Sequence, residues 1–521
     1  MRGGWGRWEA DSRPEDESLF TKILVANRGE VAVRIMRTCE DLDVRTVAIF
    51  SEADRLSPHV PYADEAYLIG PPAPAESYLN IEAILKVAKK SGAEAIHPGY
   101  GFLAENPDFA AACERAGIVF IGPTTEMIRR MGNKLEARRI MQQAGVPIVP
   151  GGTTEASRLD VTRKLAGDLG YPVMVKPAGG GGGKGMHLVR QEQELEAQLR
   201  LAASEAASAF GAPSVYLEKY LRPVRHIEVQ LVRDGHGNTI HLGERECSVQ
   251  RRHQKIIEES PSCIVTDGLR RRLVESAIAA VDAVNYVGVG TVEFLLDSEK
   301  NFYFLEMNTR LQVEHTVTEQ VTGIDLVEQQ LLVASGARLE YQQQDVRFNG
   351  WAVECRISAE DPYNNFMPSP GLIELLYEPG GPGIRVDTGV SKGFEVPVFY
   401  DPLIAKLITS GRNRDQAIRR MRRALRHYKI LGIHNNIPFL LAIIGHEKFV
   451  SGDLHTEFLD ENEDLFEQVP KESAELAAVV AALLEYKARR KAGNSARATA
   501  DGAGQAWKAL GRAQRWDWPW R

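Results

Sequence analysis

Cysteine is scarce in this chain, and its distribution excludes several kinds of site. The 521 residues contain five cysteines, far apart and without a CxxC pair: Cys39, Cys113, Cys247, Cys263 and Cys355. An odd number of scattered cysteines argues against a disulfide framework and against a zinc site. We therefore expect buried or incidental thiols in a reducing cytoplasm, and not a catalytic cysteine.

Long apolar runs and dense blocks of positive charge are also missing. No stretch approaches the ~18 unbroken apolar residues of a membrane span, and residues 1–20 lack the apolar core of a signal peptide. The net charge of −7 is spread over many segments. We therefore expect neither a membrane nor a nucleic acid as a partner.

Two common nucleotide-binding motifs are absent as well. The first turn of the chain contains only Arg28, Gly29 and Glu30, so the GxGxxG fingerprint of a dinucleotide site is missing. A later glycine-rich stretch is not a P-loop, because Gly185 follows Lys184 where serine or threonine is required.

The order of apolar segments predicts the fold class. KILVANRGEVAVRIMRTCEDLDVRTVAIF reads as strand, turn, amphipathic helix and strand, and this alternation continues to about residue 121. Such units build parallel sheets, so we predict a doubly wound α/β domain at the N-terminus. Longer strands of antiparallel character follow over about 226–335. A strand-rich part from 350 to about 410 and helices to about 465 come next, so the chain is predicted to combine α/β and α+β parts.

Five consecutive glycines, Gly179–Gly183, lie within KPAGGGGGKGMHLV. A flexible linker is one interpretation, but the flanking YPVMVK and GMHLV read as strands, which makes the glycines a hairpin tip. Consecutive glycine N–H groups can converge on an anion, and Lys176 and Lys184 add positive charge. We predict a mobile lid over phosphates.

Two later strands predict a metal site. TVEFLLD and FYFLEMN flank the turn SEKN, and pairing Asp297 with Phe302 places Glu293 opposite Glu306. Like charges opposed across a ladder are destabilising, so divalent cations between them explain the pair best. The alternative, that both carboxylates point into water, is disfavoured by the apolar neighbours.

The second strand continues into a row of polar residues. If the chain stays extended, side chains two apart face one side, and that side carries Glu306, Asn308, Arg310, Gln312 and Glu314. A solvated face is the alternative, although such faces favour Lys, Thr and Glu. We interpret the row as an active site in which Arg310 clamps a small planar anion and Glu314 serves as a general base. The basic cluster RRHQK, which ends at Lys255, is interpreted as a local anion site and not as a nucleic-acid patch.

Together these blocks closely resemble the biotin carboxylases of the ATP-grasp superfamily. ANRGE, AIHPGYGFLAEN, GGGGGKGM, EKYL, RRHQK, EMNTRLQVEH, AVECRI and YDPLIAKL follow in the family's order over about residues 20–465. The resemblance implies an ATP-dependent ligase. In that reaction ATP phosphorylates bicarbonate, and the carboxyphosphate yields CO₂, which is added to N1′ of carrier-bound biotin.

The resemblance also implies how the chain is divided. The expected parts are a disordered arm (1–19), an N-terminal α/β domain (20–133), an ATP-grasp domain (134–335) with a mobile glycine-rich lid subdomain (about 148–220), a C-terminal mixed β/α domain (350–465), and a helix, linker and Trp-rich tail (466–521).

Residue roles are implied by position. The residues that resemble ATP contacts are Lys134, Lys176, Gly182, Gly183, Glu218, Lys219, Leu221, His226, Gln250 and His253. Those that resemble ligands of Mg²⁺ or Mn²⁺, and so also belong to the nucleotide site, are Glu293, Glu306 and Asn308. Those that resemble the bicarbonate site are Lys255, Arg310, Gln312 and Val313.

Two further roles complete the implied site. Glu314 resembles the base that deprotonates bicarbonate, and Arg356, with Tyr100 nearby, resembles the group that stabilises the biotin enolate. The sequence departs from the family at Thr316, where proline is usual, at Asn133 in GNK, and at Pro177. None of these departures removes a charged catalytic group, and Thr316 is expected to loosen the turn after the catalytic strand.

The implied partners follow from what the chain lacks. It has no Ala/Val-Met-Lys-Met block for biotin attachment and no room for a carboxyltransferase domain. We therefore expect a separate biotin carboxyl carrier protein, carboxyltransferase subunits and a homodimer, in the first half-reaction of an acyl-CoA carboxylase. The alternatives are one half of a two-subunit pyruvate carboxylase, another ATP-grasp carboxylate–amine ligase, and a non-catalytic nucleotide-binding scaffold. Trp507, Trp516, Trp518 and Trp520 near the C-terminus predict a segment that docks onto a partner or folds back.

Overall fold

The computed structural model describes residues 19–155, 159–177, 186–210 and 214–466. The predicted arm before residue 19, the glycine lid with Gly182 and Gly183, and the predicted helix, linker and tryptophan-rich tail from residue 467 onwards lie outside the described residues. Within the described ranges, none of the helices combines the length and the apolar character that crossing a bilayer requires.

The N-terminal part is a five-stranded parallel sheet in the order β3–β2–β1–β4–β5, as predicted for a doubly wound domain. Its strands are β1 (Lys22–Val25), β2 (Arg45–Ser51), β3 (Glu65–Gly70), β4 (Ala95–His97) and β5 (Val119–Phe120). Its helices are α1 (Gly29–Asp41), α2 (His59–Tyr62), α3 (Ile81–Ser91) and α4 (Pro107–Arg115). The strand order reverses between β1 and β4, and ligands of open α/β sheets bind at such points.

A hydrogen-bonded corner forms at this reversal. The amide of Asn27, just after β1, donates to the carbonyl oxygens of Pro98 at 2.7 Å and Tyr100 at 2.8 Å, which follow β4. The corner fixes the two loops that carry Arg28 and Tyr100.

A smaller antiparallel sheet in the order β6–β9–β7–β8 follows two helices. The helices are α5 (Thr125–Gly132) and α6 (Lys134–Gln143). The elements of the small sheet are β6 (Gly151–Glu155), α7 (Leu159–Leu169), β7 (Val173–Pro177), β8 (His187–Val189), α8 (Glu192–Phe210) and β9 (Ser214–Lys219). Strand β7 pairs with β8, the next strand along the chain, so the two form the hairpin that the sequence predicts on either side of the glycines.

The largest sheet has eight antiparallel strands in the order β14–β13–β10–β11–β12–β15–β22–β20. Up to β14 its elements are β10 (Val224–Arg233), β11 (Thr239–Arg251), β12 (Gln254–Ser260), α9 (Asp267–Ala283), β13 (Gly288–Asp297) and β14 (Phe302–Asn308). Helices α10 (His315–Thr322) and α11 (Leu326–Ala334) follow before β15 (Trp351–Ser358). One core cluster packs α9 against β10, β13 and β14 through residues such as Leu273, Ile227 and Phe294.

The remaining part adds short strand pairs and helices. Its strands are β16 (Glu360–Asp361), β17 (Met367–Pro368), β18 (Gly371–Leu372), β19 (Leu375–Tyr377), β20 (Ile384–Thr388), β21 (Glu395–Val396), β22 (Leu403–Gly411) and β23 (Lys429–Leu431). Its helices are α12 (Arg414–His427), α13 (Ile437–Gly445) and α14 (Glu447–Ser451). Strands β15, β20 and β22 extend the large sheet.

Two details of the predicted hairpin around SEKN are wrong, although its main conclusion is confirmed. Phe302 pairs with Leu296, not with Asp297, and the register shifts by one between Phe294 and Glu293. Such a shift is a β-bulge. It restores the register, so Glu293 is opposite Glu306 as predicted.

The predicted extended row also ends early. Strand β14 stops at Asn308, and α10 begins at His315. Arg310, Gln312 and Glu314 therefore lie in a loop and do not share a strand face. Each side chain has to be placed from its own contacts.

Candidate active site

Three carboxylates form a row across the large sheet. Glu228 of β10 is directly opposite Glu293 of β13, which in turn is opposite Glu306 of β14. Glu228 and Glu293 are buried, whereas the side chain of Glu306 is 43% exposed. Like charges in this arrangement repel, so the row requires positive partners.

Glu293, in the middle of the row, is held by four polar side chains. One carboxylate oxygen accepts hydrogen bonds from Lys255 at 2.9 Å, Asn308 at 2.8 Å and Gln312 at 2.6 Å. The other oxygen lies 2.7 Å from Nε2 of His226. Burial alone would raise the pKa of Glu293, but Lys255 and His226 outweigh it and hold that pKa well below its ordinary value. Glu293 is therefore a fixed anion.

Glu306 is the member of the row that faces a cleft. Nζ of Lys134 lies 4.0 Å from its carboxylate. Enclosure by the cleft, and then the facing Glu293 carboxylate, raise the pKa of Glu306 above its ordinary value. A divalent cation would relieve this repulsion, and the carboxylate and amide oxygens of Glu293, Glu306 and Asn308 are ligands that Mg²⁺ accepts. The residues present fit the metal site that the sequence predicts.

Lys255 lies among three carboxylates. Its Nζ is 2.5 Å from Glu228, 2.9 Å from Glu293 and 2.5 Å from Glu314. Burial opposes the charged ammonium, yet the three carboxylates raise the pKa of Lys255 well above its ordinary value. An ammonium has three N–H donors, and all three are in use. Lys255 can contact a bound anion only if one of these carboxylates takes another partner.

Glu314 reaches Lys255 from the loop before α10, and its second oxygen accepts a hydrogen bond from Arg356 at 2.9 Å. Burial would raise the pKa of Glu314, but Lys255, Arg356 and then Arg245 hold it below its ordinary value. In this state Glu314 is ionised, but it is a weak base. Any role in proton abstraction requires a change in the surrounding charge.

Arg356 connects Glu314 to a second carboxylate. Its Nε donates to Glu258 at 2.6 Å. Burial raises the pKa of Glu258 to about 8 despite Arg356, and Glu354, its direct partner on β15, adds to the rise. The guanidinium therefore faces one firmly ionised carboxylate, Glu314, and one that is readily protonated, Glu258.

A cavity of about 360 Å³ lies beside this network. Lys255, Arg310, Val313, Arg356 and Tyr100 are among its lining residues. The Tyr100 hydroxyl is buried and has no hydrogen-bond partner among the described residues. A buried polar group of this kind fits a cavity that receives a polar ligand.

A second cavity, of about 510 Å³, lies on the other side of Arg310. Its polar lining includes Lys134, Lys176, Glu218, Glu306 and Asn308, and its apolar lining includes Ile128, Met131, Val149 and Met307. A mixture of cations, carboxylates and apolar walls suits a nucleotide with its phosphates. Lys176 pairs with Glu218 here.

Arg310 lines both cavities. Its guanidinium is anchored by Glu105, at 3.0 Å, and by the side-chain oxygen of Asn308, at 3.0 Å. Anchored at the junction, Arg310 can contact a group that passes between the two cavities.

The other predicted residues take different places. Among the described residues that line the second cavity, neither Lys219 nor Leu221 is found, and the ammonium of Lys219 donates to the carbonyl oxygen of Gly170 at 2.7 Å. His226 reaches Glu293 and also pairs with Gln250 at 2.8 Å, so these two support the carboxylate row. The side chain of Gln312 makes two hydrogen bonds, because its oxygen accepts from Arg245 at 2.7 Å and its nitrogen donates to Glu293 at 2.6 Å.

The basic cluster forms a tight hairpin between β11 and β12. Arg251 pairs with Gln254, and the two turn residues Arg252 and His253 have φ angles of 48° and 67°. Partial enclosure, and then the charge of Lys176, lower the pKa of His253. Arg251, Gln254 and Lys255 line the first cavity, and the interpretation of the cluster as a local anion site stays a prediction.

Sequence reasoning missed three residues. Glu228 completes the carboxylate row, and Arg245, fully buried, donates to Glu228, Gln312 and three other side chains. Glu105 anchors Arg310. The alternating residues of GERECS on β11 indicate that Arg245 points into the protein. Glu105 lies in a loop far away in sequence, and no local pattern indicates that it anchors Arg310.

Comparisons with known proteins identify the family of the chain. The chain matches the family models for the biotin carboxylase N-terminal domain over residues 19–128 and the biotin carboxylase C-terminal domain over 354–461. Residues 133–342 match the ATP-binding domain of the carbamoyl-phosphate synthase L chain.

Curated relatives match most of the chain. Biotin carboxylase 1 of Bacillus subtilis is 53% identical over 85% of this chain and 98% of its own length. One of the pyruvate carboxylase subunits of Methanothermobacter thermautotrophicus is 53% identical over 85% of this chain and 90% of its own length. The human mitochondrial propionyl-CoA carboxylase alpha chain is 49% identical over 86% of this chain and 62% of its own. The relatives thus differ in the carboxylase to which they belong.

A solved structure matches the fold as well. The biotin carboxylase domain of the 2-oxoglutarate carboxylase of Hydrogenobacter thermophilus, a dimer in complex with MgADP, ADP and bicarbonate, superposes with a TM-score of 0.82. It is 47% identical, and the match covers 87% of this chain and all of that chain.

Proposed function

The chain belongs to the biotin carboxylase family and is an ATP-dependent enzyme, and from this premise we propose that it carboxylates biotin on a separate carrier protein with ATP and bicarbonate. The observation that carries the proposal is the position of Arg310 between two cavities. One is lined by Glu306 and Lys134, and the other is lined by Lys255, Arg356 and Tyr100, whose hydroxyl is buried.

ATP takes the second cavity, with its phosphates near Lys134 and Lys176. Glu293, Glu306 and Asn308 would hold a divalent cation, Mg²⁺ or Mn²⁺, which would supply positive charge to the phosphates. Lys255 donates to Glu293 at 2.9 Å, and it would have to leave one of its three carboxylates to contact bicarbonate.

Bicarbonate takes the junction beside Arg310 and Lys255. Its oxygen attacks the γ-phosphorus of ATP, the bond to ADP breaks, and carboxyphosphate forms. Glu314 takes the bicarbonate proton. An anion between Lys255 and Arg356 neutralises part of the charge that now holds the pKa of Glu314 low, so the bound substrate itself makes Glu314 a better base.

Biotin takes the first cavity, with its ureido ring beside Arg356 and Tyr100. Carboxyphosphate releases CO₂ and phosphate, the released phosphate takes the proton of N1′ of biotin, and N1′ then attacks the CO₂. Arg356 stabilises the enolate oxygen that develops on the ureido ring. The arginine can do this because Glu258 and Glu314 fix its plane.

The further partners are a biotin carboxyl carrier protein, carboxyltransferase subunits and a second copy of this chain. A dimer is described for the Hydrogenobacter relative, which supports a homodimer here. We place the reaction in an acyl-CoA carboxylase, with a two-subunit pyruvate carboxylase as the alternative that the Methanothermobacter relative supports. Family membership argues against a different carboxylate–amine ligase. Five free cysteines are consistent with a cytoplasmic site of action.

The test is transfer of labelled carbon from bicarbonate to free biotin. The purified chain should form labelled carboxybiotin and ADP only when ATP, Mg²⁺ and bicarbonate are all present. ATP cleavage that is independent of bicarbonate, with no labelled biotin, would overturn the proposal. Carboxylation of purified carriers with their cognate carboxyltransferases then distinguishes acyl-CoA from pyruvate as the final acceptor.

A further inference from the structure

Three apolar side chains lie exposed beside the first cavity. Met367 is 60% exposed, Val398 is 67% exposed and Phe399 is 48% exposed. We call these three residues the mouth patch. Each is within two residues of a side chain that lines the cavity, namely Phe366 or Tyr400. Single exposed apolar residues are ordinary, but these three all adjoin residues that line one cavity.

The Met367 side of the patch is a strained hairpin held in place. Strands β16 and β17 pair Asp361 with Met367, and the tip residues Asn365 and Phe366 have φ angles of 53° and 56°. Left-handed backbone is unfavourable at a phenylalanine, so surrounding contacts must impose it. The guanidinium carbon of Arg251 lies 3.7 Å from the centre of the Phe366 ring.

The tip has a second anchor. Arg252, in the hairpin turn between β11 and β12, donates to the side-chain oxygen of Asn365 at 3.0 Å. Two hairpins therefore hold each other. The result is that Met367 is presented beside the cavity on a backbone that cannot relax freely.

The Val398 and Phe399 side is equally fixed. The hydroxyl of Tyr400 bonds to the carbonyl oxygen of Pro72 at 2.6 Å and to Ser51 Oγ at 2.5 Å. The guanidinium of Arg28 lies 4.4 Å from the centre of the Tyr400 ring. The neighbouring Phe399 ring is 6.4 Å from that of Tyr400. The exposed residues Val398 and Phe399 therefore precede Tyr400, which is anchored to the N-terminal sheet through Ser51.

We propose that the mouth patch is the surface on which the biotin-bearing carrier domain docks. The proposal rests on the function proposed above. Biotin attached to a protein must enter the first cavity on its side-chain tether, so the carrier has to lie over the opening from which the tether leaves. Met and aromatic side chains are enriched at the cores of protein interfaces, and rigid ones lose little entropy on binding.

The position of the mouth patch argues against direct contact with the biotin ring during catalysis. Among the described residues that line the first cavity, none of the three members of the mouth patch is found. They cannot contact a biotin ring that lies beside Arg356 within that cavity. A free biotin molecule should therefore be insensitive to the patch, whereas a carrier should depend on it.

The experiment compares free biotin with carrier-bound biotin as the acceptor, for each variant in turn. A double variant, Val398→Glu with Phe399→Glu, and a single variant, Met367→Glu, are assayed with free biotin and with the biotinylated carrier domain of the same organism. The matched control is Tyr377→Glu with Leu431→Glu. These two apolar residues, on β19 and β23, are 60% and 54% exposed and are not among the described residues lining the cavity.

With free biotin, kcat and KM of the patch variants should stay within about twofold of the unaltered enzyme. With the carrier, kcat/KM should fall by about tenfold or more, through KM, because a charge buried in an interface core costs over a kcal/mol. The control should change neither. Affinity for the unbiotinylated carrier, measured by calorimetry, should fall in parallel and tests docking without catalysis.

Three results would overturn the inference. Equal losses with both acceptors would make the patch part of the catalytic site. No loss with the carrier, or a change in the mass of the assembly by ultracentrifugation, would mean that another segment or a second copy covers it. If the unaltered enzyme fails to carboxylate free biotin, the proposed function itself falls. The binding measurement then still decides whether this surface receives a carrier.

Discussion

The hydroxyl of Thr316 donates a hydrogen bond to the buried carboxylate of Glu354, joining the first turn of α10 to β15. The other carboxylate oxygen of Glu354 has no hydrogen-bond partner among the described residues. Burial raises the pKa of Glu354 to about 7, although Lys406 and Thr316 lower it. From the sequence, Thr316 is expected to loosen the turn after the catalytic strand. The hydrogen bond to Glu354 instead adds a link between α10 and β15, two residues from Glu314.

Thr316→Val should lower the melting temperature, whereas Thr316→Ser should leave it nearly unchanged. Valine matches the shape of threonine but leaves Glu354 unsatisfied, at a cost of about 1–3 kcal/mol. Thr316→Pro also removes the hydroxyl, so it should lower the melting temperature as Thr316→Val does, although proline itself is tolerated in the first turn of a helix. Thermal unfolding of the three variants at one pH provides the measurement. Equal losses for Val and Ser would mean that the hydroxyl does not matter.

Glu306→Gln should have opposite effects on activity and on stability. Without metal, removing one of two facing carboxylates relieves repulsion, so the melting temperature should not fall and should rise slightly. Bicarbonate-dependent ATP cleavage should drop by orders of magnitude, because a charged metal ligand is lost. The melting temperature with and without Mg²⁺-nucleotide should show a smaller ligand-induced rise than in the unaltered enzyme. Turnover within a few fold of normal would refute the metal assignment.

The carboxylate row shows what the sequence can and cannot predict. One short turn joins the strands of Glu293 and Glu306, so local pairing predicts their register to within one residue, and the β-bulge then brings them opposite each other. Glu228 is opposite Glu293 through a pairing between strands far apart in sequence, and nothing in the local pattern encodes that pairing. The β-bulge and the end of β14 at Asn308 escape prediction for a similar reason, since tertiary packing decides them.

The acid–base groups in the loop after β14 are predictable only in part. An extended chain would place Arg310 and Glu314 on one face, and the structure instead separates their contacts. Arg310 goes to Glu105 and Glu314 to Lys255 and Arg356. The residue types at this spacing predict the chemistry, but the partners come from the N-terminal domain and from β12 and β15.

Arg310→Lys should reduce the rate of bicarbonate-dependent ATP cleavage by orders of magnitude and leave nucleotide affinity little changed. Lysine is a point charge and cannot contact Glu105, Asn308 and an anion in one plane. Glu105→Gln, which removes only the anchoring charge, should have a smaller effect, about tenfold, because the guanidinium is misplaced but present. Steady-state kinetics and equilibrium ADP binding separate rate from affinity. A collapse of nucleotide affinity in Arg310→Lys would show that this residue mainly binds the nucleotide and not bicarbonate.

Glu30→Gln should change how stability depends on pH. Burial raises the pKa of Glu30 from 4.5 to about 7, although Lys406, 3.3 Å away, lowers it, and Asp387 adds to the rise while Arg385 opposes it. The folded state therefore binds this proton more tightly than the unfolded state, so the contribution of Glu30 to stability decreases as pH rises from 4.5 to 7. Glutamine cannot titrate. The measurement is the difference in melting temperature, variant minus unaltered enzyme, at each pH. This difference should increase between pH 5 and pH 7 and then level off, whatever its value at pH 5. A difference that stays constant across this range would show that Glu30 does not take up a proton on folding.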